Sequence, residues 1–157
     1  MIAQYTQAGL VSENKRLASP ASVDSIPSSA MQEDHVSMGW SAARKLRKVV
    51  ENLARILAIE LVTAARAIEL REGLNPSPAT GRVVKELRKV VPGVGPDRFL
   101  SPELEAATTL VNSGSIVSAA REVVKELMTQ GARFDIANHE NKTKVRQLDH
   151  RARHSPA

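Results

Sequence analysis

Gln32-Glu33-Asp34-His35 stand together where a serine- and proline-rich stretch gives way to a long apolar segment. Two readings of this run follow from its residue types. Acidic side chains are favoured in the first turn of a helix, where the backbone N–H groups carry partial positive charge. Alternatively, a loop pinned by Pro20 and Pro27 presents a carboxylate in a cleft beside a helix start, a common place for binding groups.

The other groups with chemical potential are less well arranged. His35, His139, His150 and His154 lack the i, i+4 spacing that puts two imidazoles on one helix face, so no zinc site is expected. Gly93-Val94-Gly95 is not a dinucleotide-binding fingerprint, because Arg98 stands where the third glycine belongs and no strand pattern precedes it. Arg44-Lys45-Leu46-Arg47-Lys48 would suit a basic region leading into a zipper, but Leu46 and Leu53 are followed by Glu60 and Ala67, which breaks the heptad. No nucleic-acid partner is expected.

Prolines, glycines and apolar periodicity divide the chain that positions these groups. Residues 2 to 17 are mostly helix formers, softened by Gly9. Residues 18 to 30 contain two prolines and five serines and read as a loop, long enough to suggest a function. A helix is predicted from about Ser41 to Glu72, with Gly73 and Pro76 as its stop. At 1.5 Å per residue it would be on the order of 45 Å long. Its stretch from Leu53 to Ala65 is apolar on most faces, so it calls for more covering protein than a chain of 157 residues supplies. Arg55, Glu60 and Arg66 argue against a membrane span.

Shorter helices are predicted from Thr80 to about Val90, from a Ser101-Pro102-Glu103 start to about Val111, and from Ile116 to Met128 behind a Ser115 cap. Residues 1 to 130 thus form a helical segment, and from Gly131 onward no apolar periodicity survives. The polar, basic tail, residues 131–157, is expected to be disordered.

Composition supports the same class. Only 3% of residues are aromatic, so a core must come from Leu, Ile, Val and Ala, which favours packed helices over a β-sandwich. The absence of cysteine excludes disulfides, cysteine-based metal centres and thiol nucleophiles. The residues after Met1 do not read as a signal peptide, and the cytoplasm is the expected location. Of the net charge of +5, a surplus of three lies in residues 132–157, so it says little about a partner of the body.

Residues 12 to 15, Ser12-Glu13-Asn14-Lys15, and the run from Pro20 through Gln32-Glu33-Asp34-His35 to Gly39 resemble the C-terminal part of the histidine ammonia-lyases, in the aromatic amino acid lyase family. The similarity continues through Leu57-Ala58-Ile59-Glu60-Leu61, Leu70-Arg71 and Pro96 to Glu105, and covers roughly residues 2 to 127. It implies an all-α bundle of long helices, active sites assembled from several subunits of a tetramer, and conversion of L-histidine to trans-urocanate and ammonia in histidine degradation. The resemblance also implies a methylidene-imidazolone electrophile made from an internal Ala-Ser-Gly.

This sequence has no such tripeptide, since Ala18-Ser19 is followed by Pro20 and Ser113-Gly114 is preceded by Asn112. No cofactor is therefore expected here, and the chain alone is expected to be inactive. The family residue that carries over is Glu33, which in the family lies beside the substrate ring, with Gln32 and Ser29 as neighbours shaping the same wall. A carboxylate there can accept an imidazole N–H, whereas phenylalanine-specific relatives carry a glutamine. The implied partners are L-histidine in a completed site and either further copies of the chain or a separate N-terminal lyase part. The alternative is a non-catalytic helical assembly or interaction module derived from the lyase.

Overall fold

The computed structural model describes residues 2–21, 23, 25–35 and 37–124. The polar tail, residues 131–157, lies outside the described residues. The fold is all-α, with α1 (Ile2–Leu17), α2 (Gly39–Glu69), α3 (Pro78–Leu87), α4 (Ser101–Ser113) and α5 (Ser115–Arg121), plus one two-stranded hairpin between α1 and α2. Among the described residues no helix is long and apolar enough to cross a membrane.

The 31 residues of α2 form the spine on which the rest is laid. Its length follows from a run of good helix formers without internal glycine or proline. The first helix lies antiparallel along it. Gln7 Nε2 donates to the Ile56 carbonyl at 3.1 Å, Asn52 meets Glu13 and Asn14, and Lys45 Nζ donates to the Ser19 carbonyl. Asn52 is fully buried, and its Nδ2 donates to Glu13 Oε2 at 2.7 Å and to Asn14 Oδ1 at 2.9 Å. Its amide N–H donors are both partnered while its Oδ1 has no hydrogen-bond partner. Burying donors is favourable only where they are bonded, so these two bonds fix the register of α1 on α2.

The core gathers Ala58 and Ala65 of α2, Leu87 at the end of α3, Val91 just beyond it, and Ala107 of α4. Three alanines at this junction let the helix backbones approach closely, and Leu87 and Val91 fill the remaining space. Glu105 and Arg55 pair across α4 and α2 at 3.8 Å, and Arg82 of α3 reaches Glu122 beyond α5 at 3.3 Å.

Several predicted boundaries shift for identifiable reasons. The third helix starts at Pro78, before the predicted Thr80, because Ser77 accepts the Thr80 N–H and proline fits the first helical position. Ser101 is the first residue of α4 rather than its cap, and Leu100 occupies the cap position without a side-chain bond. The left-handed Gly114, φ 76°, separates α4 from α5, and α5 ends at Arg121 rather than Met128. Inside the predicted 18–30 loop, Pro27–Ser28 is a strand, with proline as its first residue where no ladder donor is missed.

Beyond α3, the loop Pro92–Pro96 is tied to the spine by a polar clasp. Glu69 Oε1 accepts from Arg88 Nε at 2.6 Å and its Oε2 accepts the Val94 N–H at 3.2 Å. Arg98 donates to the Pro92 and Gly93 carbonyls and pairs with Glu103 through both Nε and Nη2. The Arg88 hydrogen bond and charge, with the Val94 N–H, hold the Glu69 carboxyl below its ordinary value of 4.5 against the opposing effect of burial.

A carboxylate whose folded pKa is depressed contributes stability above its unfolded pKa, and that contribution is lost as pH falls through the folded value. Wild type should therefore lose more stability than Glu69→Gln as pH falls from about 7 to about 3, a difference read by urea unfolding and bounded by the ~1 kcal/mol ceiling of a partly exposed ion pair. Identical pH dependence in the two proteins would show that the clasp contributes nothing.

Candidate functional site

The hairpin carries the residues singled out above. Strand β1 (Pro27–Ser28) pairs antiparallel with β2 (Glu33–Asp34), Pro27 opposite Asp34 and Ser28 opposite Glu33. The His35 N–H donates to the Ile26 carbonyl at 2.7 Å and extends the same register by one pair. Because side chains alternate across a strand, Glu33 and Asp34 point to opposite faces. A four-residue turn, Ser29 to Gln32, joins the strands, and the Gln32 N–H closes it on the Ser29 carbonyl at 3.1 Å.

Ser29 and Glu33 are brought into contact. Ser29 Oγ donates to Glu33 Oε2 at 3.4 Å, and Ser28 Oγ donates to the Glu33 main-chain carbonyl at the same distance. Gln32 contributes its main chain to the turn, and its side chain is exposed.

The turn is strained. Ser29, Ala30 and Met31 have φ of 50°, 56° and 67°, three consecutive left-handed residues without a glycine among them. Met38, φ 57°, takes the same conformation at the cap of α2. Each such residue costs roughly 1–2 kcal/mol. Among the described residues these four are all the non-glycine residues with positive φ, and they lie within a ten-residue stretch around Glu33. Strain of this kind persists where surrounding structure holds it and clusters at working sites.

The structure corrects both sequence-level placements of Glu33. It lies six residues before Gly39, the first residue of α2, and that helix has no acidic residue in its first turn. Nor does it sit in a cleft of this chain, for Ser29 through His35 are all exposed. Cavities of about 410 and 520 Å3 lie elsewhere. The first is lined by Leu10, Ile59, Phe99 and Leu104, and the second runs past Arg66, Arg88 and Arg98.

The spine is left partly uncovered as well. Leu46, Val50, Leu53 and Leu57, spaced four, three and four residues apart, form one exposed apolar seam on α2, while Ala54, Ala58 and Ile59 of the same helix are buried. Among the described residues, the chain covers one side of its longest helix and leaves the seam bare, and Trp40 in the first turn of α2 and Met31 in the hairpin turn are exposed too. Among the described residues no group of three or more His, Asp or Glu could hold a metal ion.

Residues 1–89, which carry α1, the hairpin, α2 and α3, match the family model described as aromatic amino acid lyase. The chain belongs to the aromatic amino acid lyase family. It is 68% identical over 128 residues to a protein of Streptomyces avermitilis named histidine ammonia-lyase, covering 81% of this chain and 25% of that protein. A protein of the same name from Symbiobacterium thermophilum is 54% identical over 127 residues, again covering 81% of this chain and 25% of the relative.

Solved structures agree. The histidine ammonia-lyase of Trypanosoma cruzi superposes with a TM-score of 0.74 at 45% identity, covering 78% of this chain and 24% of that one. A tyrosine aminomutase of Streptomyces globisporus gives 0.70 at 35% identity, over 76% and 23%. The chain spans about a quarter of the length of these aromatic amino acid lyase relatives.

The electrophile that the resemblance implies finds no fitting residues here. Ala18-Ser19-Pro20 follows α1 with proline in the third position. Asn112-Ser113-Gly114 closes α4, where Gly114 is the cap and Ser113 Oγ is engaged with the Leu110 carbonyl and Ser115. Neither is an Ala-Ser-Gly, and no step is assigned to such a group in this chain. What the chain offers is an exposed carboxylate on a strained, hydrogen-bonded turn.

The signal for Glu33 was the Gln-Glu-Asp-His run itself, whereas nothing marked Ser28 or the left-handed Ala30 and Met31. Glycine or asparagine at those positions would have announced the turn, and neither is present.

Proposed function

We propose that this chain supplies the ring-recognition wall of a histidine ammonia-lyase site, with Glu33 accepting the imidazole N–H of L-histidine. The observation that carries the reading is the strained turn, which spends local stability to hold an exposed carboxylate in one place. An ionised carboxylate accepts hydrogen bonds and donates none, so it favours a ring with an N–H and disfavours a phenyl ring, which would leave the charge unpaired once water is excluded. The name shared by the Streptomyces and Symbiobacterium relatives supports histidine as that substrate.

The exposure of Glu33 requires other protein to close the site, and the bare seam on α2 supports partners in the form of further copies of the chain or a separate N-terminal lyase part. In the completed site this chain binds and orients the ring. The bond-breaking chemistry belongs to the part that brings the electrophile, so the chain alone is inactive.

The test is to follow urocanate by its ultraviolet absorbance, first with the pure chain and L-histidine, then with the chain joined to the N-terminal three-quarters of the Streptomyces avermitilis relative. The pure chain should show no sustained turnover, and the joined polypeptide should be active. Turnover by the chain alone, or a folded but inert joined polypeptide, would overturn the proposal. The second outcome would favour a helical assembly module that has lost its part in catalysis.

A further inference from the structure

We propose that Ser29 is a positioning residue for ring recognition, its hydroxyl holding Oε2 of Glu33 so that Oε1 is presented to the imidazole N–H. This rests on the reading of Glu33 above and assigns the device that aims it.

A glutamate on an exposed strand has three free side-chain torsions, and fixing them costs conformational entropy near the upper end of the side-chain scale. Without a partner, the substrate itself would bear that ordering cost on binding. The hairpin supplies partners on both sides of the residue. Ser28, directly opposite, bonds the Glu33 main-chain carbonyl at 3.4 Å, and Ser29 bonds Oε2 at 3.4 Å.

The left-handed backbone of Ser29, φ 50°, is what sets its hydroxyl facing back across the turn. Strain and hydrogen bond therefore act together. A carboxylate has about four lone-pair sites on two oxygens. A hydroxyl on Oε2 thus leaves Oε1 unobstructed, and being neutral it leaves the negative charge in place.

The experiment uses the joined polypeptide and reads KM and kcat for histidine separately. Ser29→Gly removes the hydroxyl while accepting positive φ without strain. Ser29→Asn also tolerates that conformation and keeps an N–H donor. If Ser29 orients a binding group, Ser29→Gly should raise KM about three- to tenfold with kcat within about twofold, the pattern of lost uniform binding. Ser29→Asn should recover most of that loss.

Placing Ser29→Gly on a Glu33→Gln background should add less than about twofold, since residues acting through one another are not additive. An unchanged KM in Ser29→Gly beside a clear loss in Glu33→Gln would overturn the positioning role and leave the Glu33 reading standing. A Ser29 effect that is fully additive with Glu33→Gln would also overturn it. No effect of Glu33→Gln would remove the Glu33 reading and this one together. Far-UV circular dichroism on each variant distinguishes lost positioning from lost fold, because a positioning role leaves helicity unchanged.

Discussion

Glu33→Gln in the joined polypeptide is expected to lower kcat/KM for histidine by at least about tenfold, which corresponds to about 1.4 kcal/mol of transition-state stabilisation. The swap is nearly isosteric and exchanges a charged acceptor for a neutral amide, so the loss isolates the charge from the shape. A hydrogen bond to an ionised partner is roughly twice as strong as one between neutral groups. The same change should cost less, or nothing, for phenylalanine, whose ring has no N–H to lose. The ratio of the two specificity constants is therefore the sharper observable, and an unchanged ratio in a folded variant would remove Glu33 from the ring.

The structure has already narrowed the competing explanation. A first-turn carboxylate would interact with the helix dipole and contribute about 0.3–1 kcal/mol of stability, but Glu33 lies on β2, outside the first turn of α2. Stability loss on Glu33→Gln is accordingly expected to be small.

How legible these features were in the sequence depended on how local their causes are. The spine was plain because its determinants are local and repeated, a run of helix formers without internal glycine or proline. It runs from Gly39 to Glu69, two residues before the expected start at Ser41 and three short of the expected end at Glu72. The incomplete cover of that helix was legible too. Leu53 and Leu57 stay exposed while Ala54 and Ala58 are buried, as a helix apolar on most faces must show when one chain covers one side of it. The family was legible because a run of mixed chemistry around Glu33 does not arise from propensity alone.

The hairpin was not legible, since two-residue strands have no periodicity to detect and its turn uses Ser29, Ala30 and Met31 in a conformation that residue preferences disfavour. Local preference fails there because the hairpin's own bonds, Gln32 N–H to the Ser29 carbonyl and the Ser28 and Ser29 hydroxyls to Glu33, set the turn, and such failures are expected at functional positions. The end of α5 shifted as well. Val123 and Val124 continue the apolar pattern, yet α5 stops at Arg121, so the pattern over-predicts its length; the rest of the predicted stretch, to Met128, lies outside the described residues.

The largest expected effect on stability belongs to Leu87→Ala, at about 3–5 kcal/mol, the upper part of the range for such truncations. Leu87 has no exposed surface and shares its core cluster with Ala58, Ala65, Val91 and Ala107, against which the half-buried Leu61, Val62, Val84, Leu110 and Val111 pack. The three alanine methyls are fixed to their backbones and cannot reach into the vacated space, so only the surrounding leucines and valines can adjust, and part of the cavity remains. The loss comes from a total that is itself small, of order 5–15 kcal/mol for a domain, and this chain leaves much of its apolar surface bare.

Leu53→Ala makes the control. It removes the same atoms from a residue 47% exposed on the open seam, and in the isolated chain it should cost well under about 1 kcal/mol. Urea or guanidinium unfolding of the two variants beside wild type gives the comparison directly. A Leu87→Ala loss no greater than that of Leu53→Ala would mean that the α2–α3–α4 junction is not the core on which the chain depends.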